Sequence, residues 1–258
     1  MKTIIITVLF QVACMAVSGQ TPEEIIKKSH DAMKVSSFEA VSTLTITDAR
    51  DNQRIRKNTM ASMSLQDGTE KRIIKFLSPP EVKGTGILIY DYPEKSDDMW
   101  IYLPALRKTR RIVSTEKSKS FMGSEFSNSD MTAPGLEDFH YELLGEETYR
   151  GVPCVKIQSV PVSRDKEDEY GYSRSVQWVD KNNYLVHKTE YHDFDGELFK
   201  TIENRTFKEL DPEHHKYMVT HMTAQNHSND RSSEMVMEKV AMTATDPSYF
   251  TVSYLEKE

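Results

Sequence analysis

The chain changes its hydrophobic period once, near Ser37. Before that point, Thr21-Pro22-Glu23-Glu24 has the form of a helix start. Thr21 caps, Pro22 fits the first helical position, and Glu24 closes a capping box while favouring the positive end of the dipole. Ile25, Ile26, Ser29 and Met33 then share one stripe, against Lys27, Lys28 and Asp31 on another. One amphipathic helix is expected, ending near Val35 to Ser37.

From Phe38 onward the period is two. Phe38, Ala40, Leu44 and Ile46 alternate with Glu39, Thr43, Thr45 and Thr47, Ile73 and Leu77 with Arg72, and Val176 and Trp178 with Gln177. Further strand-like runs cover 54–65, 86–91, 98–103, 139–147, 152–160, 184–193, 197–208, 217–226 and 233–242. Turn signals separate them at Gln66-Asp67-Gly68, Tyr149-Arg150-Gly151, Asp180 to Asn183, Asp193 to Gly196 and Ser228 to Arg231. Strands so numerous and so closely linked predict a single antiparallel meander, either a sandwich or a curved, barrel-like sheet. Residues 113–137 follow neither period cleanly and are rich in Ser, Lys and Gly. A segment of that length inside a meander is expected to be a functional flap or lid.

The first residues bear on the compartment. Lys2 precedes an apolar run of Ile4, Ile5, Ile6, Val8, Leu9 and Phe10, continued by Val12 to Val17 and closed by the small residues Ser18 and Gly19. This is the anatomy of a secretory signal peptide over 1–19, with one domain over 20–258 and a periplasmic destination. An alternative makes Cys14 the lipid-carrying residue of an anchored lipoprotein; Ala13 suits it, but Gln11 stands where an aliphatic residue is wanted. Without Cys14, Cys154 is alone and no internal disulfide can form.

Charge and motifs narrow the classes further. With 33 basic and 40 acidic residues the net charge is −7, the wrong sign for a general nucleic-acid binder. Gly84-Thr85-Gly86 lacks the third glycine of a dinucleotide loop, which would fall at Ile89, and no phosphate loop, zinc-protease or nucleophile-elbow motif occurs. Asp193-Phe194-Asp195-Gly196 imitates the start of a calcium loop, but Asn204 stands where the bidentate glutamate belongs, so a hairpin turn is expected. His187 and His192, five apart on a strand, point to opposite faces. Cys154 sits in a strand-like run without a basic neighbour, which reads as a buried, inert thiol. These observations give no reason to expect an enzyme, a metal or a cofactor.

What stands out is apolar surface in excess. In Asp98-Met99-Trp100-Ile101-Tyr102-Leu103 both faces of one strand are apolar. One face can meet the helix from Thr21, and the other can line a cavity. Thirteen methionines are present, among them Met60, Met63, Met99, Met122, Met131, Met218, Met222, Met235 and Met237. Flexible thioethers suit either an irregular core or an apolar ligand of imprecise shape. Arg107, Lys108, Arg110 and Arg111 form a basic knot just before the flap, either a solvated strand end or a clasp for an acidic partner or head group.

The stretch from Phe76 to Met131 resembles the outer-membrane lipoprotein-sorting proteins of the LolA/LolB-like superfamily, in a longer subgroup. The matching pieces are Phe76-Leu77-Ser78-Pro79, Lys83-Gly84-Thr85-Gly86, Met99 to Leu106 running into Arg107 and Arg110-Arg111-Ile112, and Phe121 to Phe126 with Asp130-Met131. Weaker agreement continues through Trp178-Val179-Asp180, Tyr191 to Gly196 and Phe250 to Leu255. Glu125 departs where Asp is expected, and Asn128 where an aromatic residue is common. The resemblance implies a mainly β fold with few helices: an incomplete antiparallel β-barrel, or curved sheet, wrapped around the N-terminal helix with a lid over an apolar cavity. It implies a carrier of lipoprotein acyl chains or lipids, with no cofactor, no catalytic residues and no nucleic acid, expected to be a monomer. The expected cavity and lid residues are Met99, Trp100, Ile101, Leu103, Phe121, Met122 and Phe126, with Arg107, Arg110 and Arg111 against a head group or partner. An alternative is a non-enzymatic accessory subunit of an inner-membrane lipid transporter of the resistance-nodulation-division type. A secreted hydrolase is a third reading.

Overall fold

A computed structural model describes residues 19–257, so Cys14 and all but Gly19 of the expected signal segment lie outside the described residues. The alternating stretches form strands β1 (Ser37–Thr47), β2 (Gln53–Ser64), β3 (Glu70–Ser78), β4 (Gly86–Asp91), β5 (Asp98–Leu103), β6 (Lys108–Ile112), β7 (Phe139–Tyr149), β8 (Val152–Pro161), β9 (Arg174–Asp180), β10 (Val186–His192), β11 (Leu198–Asp211), β12 (Lys216–Asn226) and β13 (Ser232–Met242). Helices are α1 (Pro22–Met33), α2 (Arg164–Tyr170) and α3 (Val252–Leu255). All strands belong to one antiparallel sheet ordered β6-β5-β4-β3-β2-β1-β13-β12-β11-β10-β9-β8-β7. The end strands β6 and β7 do not pair, so the sheet curves without closing, as an incomplete barrel does.

Both open edges are charged. Lys108, Arg110 and Arg111 are exposed on β6, and Glu142, Glu146 and Glu147 are exposed on β7. Charged edge strands resist pairing with another chain. The basic knot is therefore, in the first place, an edge strand.

The inner face of the sheet carries the main core. Phe38, Ala40, Leu44 and Ile46 of β1 point inward at every second position, with Ile74 and Phe76 of β3, Ile87 and Ile89 of β4 and Met99 of β5 beside them. One polar pair is embedded there: Ser42 Oγ donates to Asn58 Oδ1 at 2.7 Å, so neither group is left unpaired. Helix α1 lies on the inner side of the other half, where Ile25 and Ile26 pack on Ile157 and Val179.

The expectation that α1 covers one face of β5 is corrected. The outward face of β5, with Trp100 and Tyr102, is covered by the C-terminal segment, where Phe250 and Leu255 join Ile73 and Leu88 in a second core. Phe250 is 1% and Leu255 0% exposed. Each such burial contributes about 1.5–3 kcal/mol. Gly86 permits the contact, because a Cβ there would lie 2.6 Å from the Leu255 side chain.

The capping box at the start of α1 is present: Glu24 N donates to Thr21 Oγ1 at 3.2 Å, and Thr21 N donates to the Glu24 carboxylate at 3.1 Å. Thr21→Ala is expected to cost about 1 kcal/mol of stability, read from the urea midpoint.

Residues 113–138 are not a structureless loop. They form short 3-10 turns at Ser114–Glu116, Phe121–Gly123, Ser129–Met131 and Leu136–Asp138, and bury Phe121, Phe126 and Met131. Charged groups pin the segment down. Lys117 reaches Glu169 of α2 at 2.8 Å and Asp97 at 3.1 Å, Arg231 meets Glu125 at 2.9 Å, and Lys200 of β11 meets Asp130 at 2.7 Å. The departures at Glu125 and Asn128 are both accommodated. Asn226 Nδ2 also donates to Glu125 at 2.8 Å, and Asn128 Nδ2 donates to the Glu116 carbonyl at 2.9 Å.

Candidate functional site

Between the inner face of the sheet, α1 and residues 126–134 of the flap lies a cavity of about 340 Å³. Methionine dominates its apolar wall: Met33 of α1, Met60 of β2, Met131 of the flap, Met218 and Met222 of β12, and Met235 and Met237 of β13. Strand geometry brings the last four together. Met218 and Met222 are four apart and Met235 and Met237 two apart, so each pair shares a face, and Met222 lies opposite Met235 in the β12–β13 register. Val35, Phe38, Phe126 and Ile202 complete this wall. Unbranched thioethers accept many shapes at small cost, which suits an alkyl chain.

The opposite end of the cavity is polar. Arg72 of β3 donates from Nη1 to the Met131 carbonyl at 2.6 Å and lies 3.7 Å from the Glu70 carboxylate. Asp91 of β4 accepts from Ala133 N at 2.8 Å. Asp130 accepts from Ser127 N and from Lys200 Nζ, both at 2.7 Å. Tyr170 and Tyr172, from α2 and the turn after it, and Tyr191 of β10 face the same space. Burial first, and Asp130 next, hold the Tyr191 hydroxyl well above its ordinary range, so it stays neutral.

Two groups titrate away from their ordinary values in opposite senses. Burial, and then Lys34, push the His30 imidazole down from 6.5 to about 4. Burial, and then the Asp97 carboxylate, push Asp91 up from 3.8 to about 7. Below pH 6.5 the unfolded chain protonates His30 more readily than the folded one, so the His30 contribution falls as pH drops from 6.5 toward 4. Asp91 works the other way: between pH 3.8 and 7 the folded chain holds the extra proton, so its destabilising effect grows as pH rises to about 7. Asp91→Asn is therefore expected to stabilise the protein at pH 8, with a gain that shrinks by pH 5. Urea midpoints of wild type and variant at the two pH values test this, and an equal gain at both would contradict it.

Residues 68–257 match a sequence family whose description reads "Uncharacterized protein". No curated protein matches the chain. Among solved structures, a domain from Vibrio parahaemolyticus named for outer membrane lipoprotein sorting is 26% identical, with a TM-score of 0.83 over 92% of this chain and 98% of that one. A DUF1329 family protein from Desulfovibrio piger is 27% identical, with a TM-score of 0.82 over 91% of this chain and 97% of that one. A LolA superfamily protein from Nitrosomonas europaea shares the fold at 18% identity, with a TM-score of 0.69 over 92% of this chain and 100% of that one. The chain belongs to the family of that model and shares the fold of these three structures.

The site residues expected from the sequence take several positions around the cavity. Phe126 lines it. Met99 and Phe121, each 1% exposed, are packed core beside it, with the Phe121 ring 6.4 Å from that of Phe76. Ile101 and Met122 face a separate hollow of about 210 Å³, shared with Ile87, Ile112 and Arg110. Trp100 points outward, edge-on to Tyr90 at 5.2 Å, and Leu103 is partly buried at the end of β5. Arg110 pairs with Glu116 at 2.8 Å and Arg111 with Asp98, while Arg107 is exposed at a left-handed turn position. The seven hydrophobic residues expected from the sequence are thus spread over the cavity, the core, the smaller hollow and the outer face.

The cavity wall itself was only half visible in the sequence. Met60, Met131, Met218, Met222, Met235 and Met237 are among the methionines noted there, and the even spacing within each strand was the available signal. Arg72, Asp91, Tyr170 and Tyr172 carried no such signal. Cys154 is fully buried against Val176 and Trp178, and desolvation raises its thiol pKa. At Asp193 to Gly196 the backbone makes the β10–β11 hairpin turn, with Asp193 Oδ1 accepting from Asp195 N and Glu197 N. Among the described residues no helix is long and apolar enough to cross a membrane.

Proposed function

We propose that this protein is a periplasmic carrier that shelters an acyl chain of a lipoprotein or lipid on its way to the outer membrane. The single observation supporting the reading is the methionine-lined cavity left open between sheet, α1 and flap. The names of its solved relatives in lipoprotein sorting and the LolA superfamily point the same way. An exposed acyl chain costs about 0.8 kcal/mol per methylene in water, so it must be covered during transit. At about 30 Å³ per water-sized group, a space of about 340 Å³ holds on the order of ten methylene-sized groups, one chain at a time.

In this reading Phe126 and the methionines touch the chain, and Met99 and Phe121 hold the wall behind them. Export follows from the signal segment over 1–19, with cleavage after Gly19. The work is transfer and involves no covalent chemistry. A carrier must also release its load, and adaptable side chains give affinity without a fixed shape that would trap it. The accessory-subunit alternative rests on the basic run, where Arg110 and Arg111 are already engaged by Glu116 and Asp98.

Native mass spectrometry of the protein released gently from cell envelopes tests the proposal. An added mass corresponding to an acylated molecule is the expected result. Protein that is empty in repeated preparations would overturn it.

A further inference from the structure

The sheet carries a second hollow on the face turned away from the methionine-lined cavity. Ala40, Met60 and Ile74 point inward, so their neighbours Val41, Thr59 and Lys75 point outward. The register sets Lys239 of β13, Val41 of β1, Thr59 of β2 and Lys75 of β3 in one row across four strands. The next outward row is Ala241, Glu39, Ala61 and Ile73. The small side chains of Val41, Thr59, Ala61 and Ala241 floor a groove of about 630 Å³. Tyr249 and Tyr254 of the C-terminal segment, whose rings stack with centres 4.8 Å apart, also line it.

Cations gather in this groove although the chain carries a net charge of −7. Lys239 and Lys75 end their row about 14 Å apart, three strand spacings, with only Val41 and Thr59 between them. Lys208 of β11 reaches the same groove, its Nζ donating to the Val240 carbonyl at 3.3 Å. Lys75 Nζ donates to the Lys257 carbonyl at 2.6 Å and lies 4.8 Å from the centre of the Tyr254 ring. Carbonyls place these two ammonium groups without neutralising them. The Glu238 carboxylate is taken instead by Lys57 at 3.6 Å and by Thr43. Burial, and then Lys257, lower the Lys75 pKa, a penalty that an arriving anion relieves. Three such cations suit a doubly charged phosphate ester better than a single carboxylate.

The remainder of the groove suits a hydroxylated ring. The exposed Glu39 carboxylate stands about 7 Å along the strand from the lysine row, where it repels a second anion but accepts from a hydroxyl. The tyrosine pair and the alanine floor supply apolar surface for a ring face. A groove of this size and lining falls in the range of small-molecule sites.

We propose that this outward groove binds a sugar phosphate, with Lys75, Lys208 and Lys239 holding the phosphate and the ring resting on Ala61 and Ala241 beside the tyrosine pair. Glu39 accepts from the ring hydroxyls. The site is separate from the acyl cavity and does not depend on it.

Calorimetric titration at low ionic strength compares glucose 6-phosphate, glucose and inorganic phosphate. Glucose 6-phosphate is expected to bind about tenfold tighter than either of the others. Lys239→Gln, at an exposed position, should lower its affinity about fivefold. Ala241→Trp, also exposed, fills the ring position and should lower it about tenfold while leaving inorganic phosphate unchanged. Methyl dodecanoate binding should be the same in both variants as in wild type, because its cavity lies across the sheet. Inorganic phosphate that binds as tightly as the sugar phosphate would reduce the groove to a basic patch and overturn the proposal. Glucose that binds as tightly, a Lys239→Gln protein of unchanged affinity, or no binding of any probe would overturn it as well. Phosphatidylcholine vesicles carrying a phosphorylated glycolipid then identify the source of the ligand. Co-sedimentation that Lys239→Gln abolishes marks a membrane-borne head group, and its absence beside glucose 6-phosphate binding marks a soluble one.

Discussion

Lys200→Met is expected to lower folding stability by about 3–5 kcal/mol, the largest effect of any single substitution considered for this protein. Lys200 Nζ lies 2.7 Å from Asp130 Oδ2, with side-chain exposures of 7% and 8%. Removing the cation leaves a buried carboxylate beside the Tyr191 hydroxyl, with Ser127 N still donating to it but no positive charge to balance it. The cost comes from the stranded charge more than from the attraction lost. For that reason the double variant Lys200→Met/Asp130→Asn should recover most of the loss, because both charges then leave together. Urea denaturation of the two variants at pH 7 measures the difference. An exposed pair provides the contrast: Lys181→Met breaks the ion pair to Glu146, 2.6 Å apart and 40% and 64% exposed, and should cost less than about 1 kcal/mol. A Lys200→Met protein within 1 kcal/mol of wild type would show that the flap is not anchored through this pair.

Met222→Trp is expected to abolish most acyl binding while leaving the protein folded. Met222 lies in the methionine wall opposite Met235, so an indole there projects into the open space. Overpacking is destabilising where a core is already full, but here about 340 Å³ stands ready to receive the ring. Displacing two or three methylenes of the ligand removes about 2 kcal/mol, more than a tenfold loss of affinity. Leu106→Trp, at a position 68% exposed and outside the cavity, should leave affinity unchanged. Titration with methyl dodecanoate, alongside thermal unfolding, separates loss of the site from loss of the fold. Unchanged affinity in a folded Met222→Trp protein would place the ligand elsewhere.

The strands with alternating side chains were legible because each buries one face, and burial imposes a period of two on the sequence. β6 was not, since Lys108-Thr109-Arg110-Arg111 offers no apolar face before Ile112, and an edge strand needs none. The short helix α2 was equally silent. Its residues Arg164 to Glu169 are all charged, and it is held by Lys117 reaching Glu169 from a distant segment and by Tyr170 packing on Phe139 at 4.8 Å. Ionic and aromatic contacts across such distances leave no local pattern.

Local sequence determined the cap of α1, the identity of nearly every strand and the surplus of apolar side chains on β5, because each depends on residues only a few positions apart. Tertiary structure alone decided what covers the outward face of β5: the segment carrying Phe250 and Leu255, admitted by a missing Cβ at Gly86. It also decided where space is left over. A methionine at a strand position reads the same whether its neighbours fill the volume in front of it or not. Only the convergence of α1, β12, β13 and the pinned flap leaves that volume open.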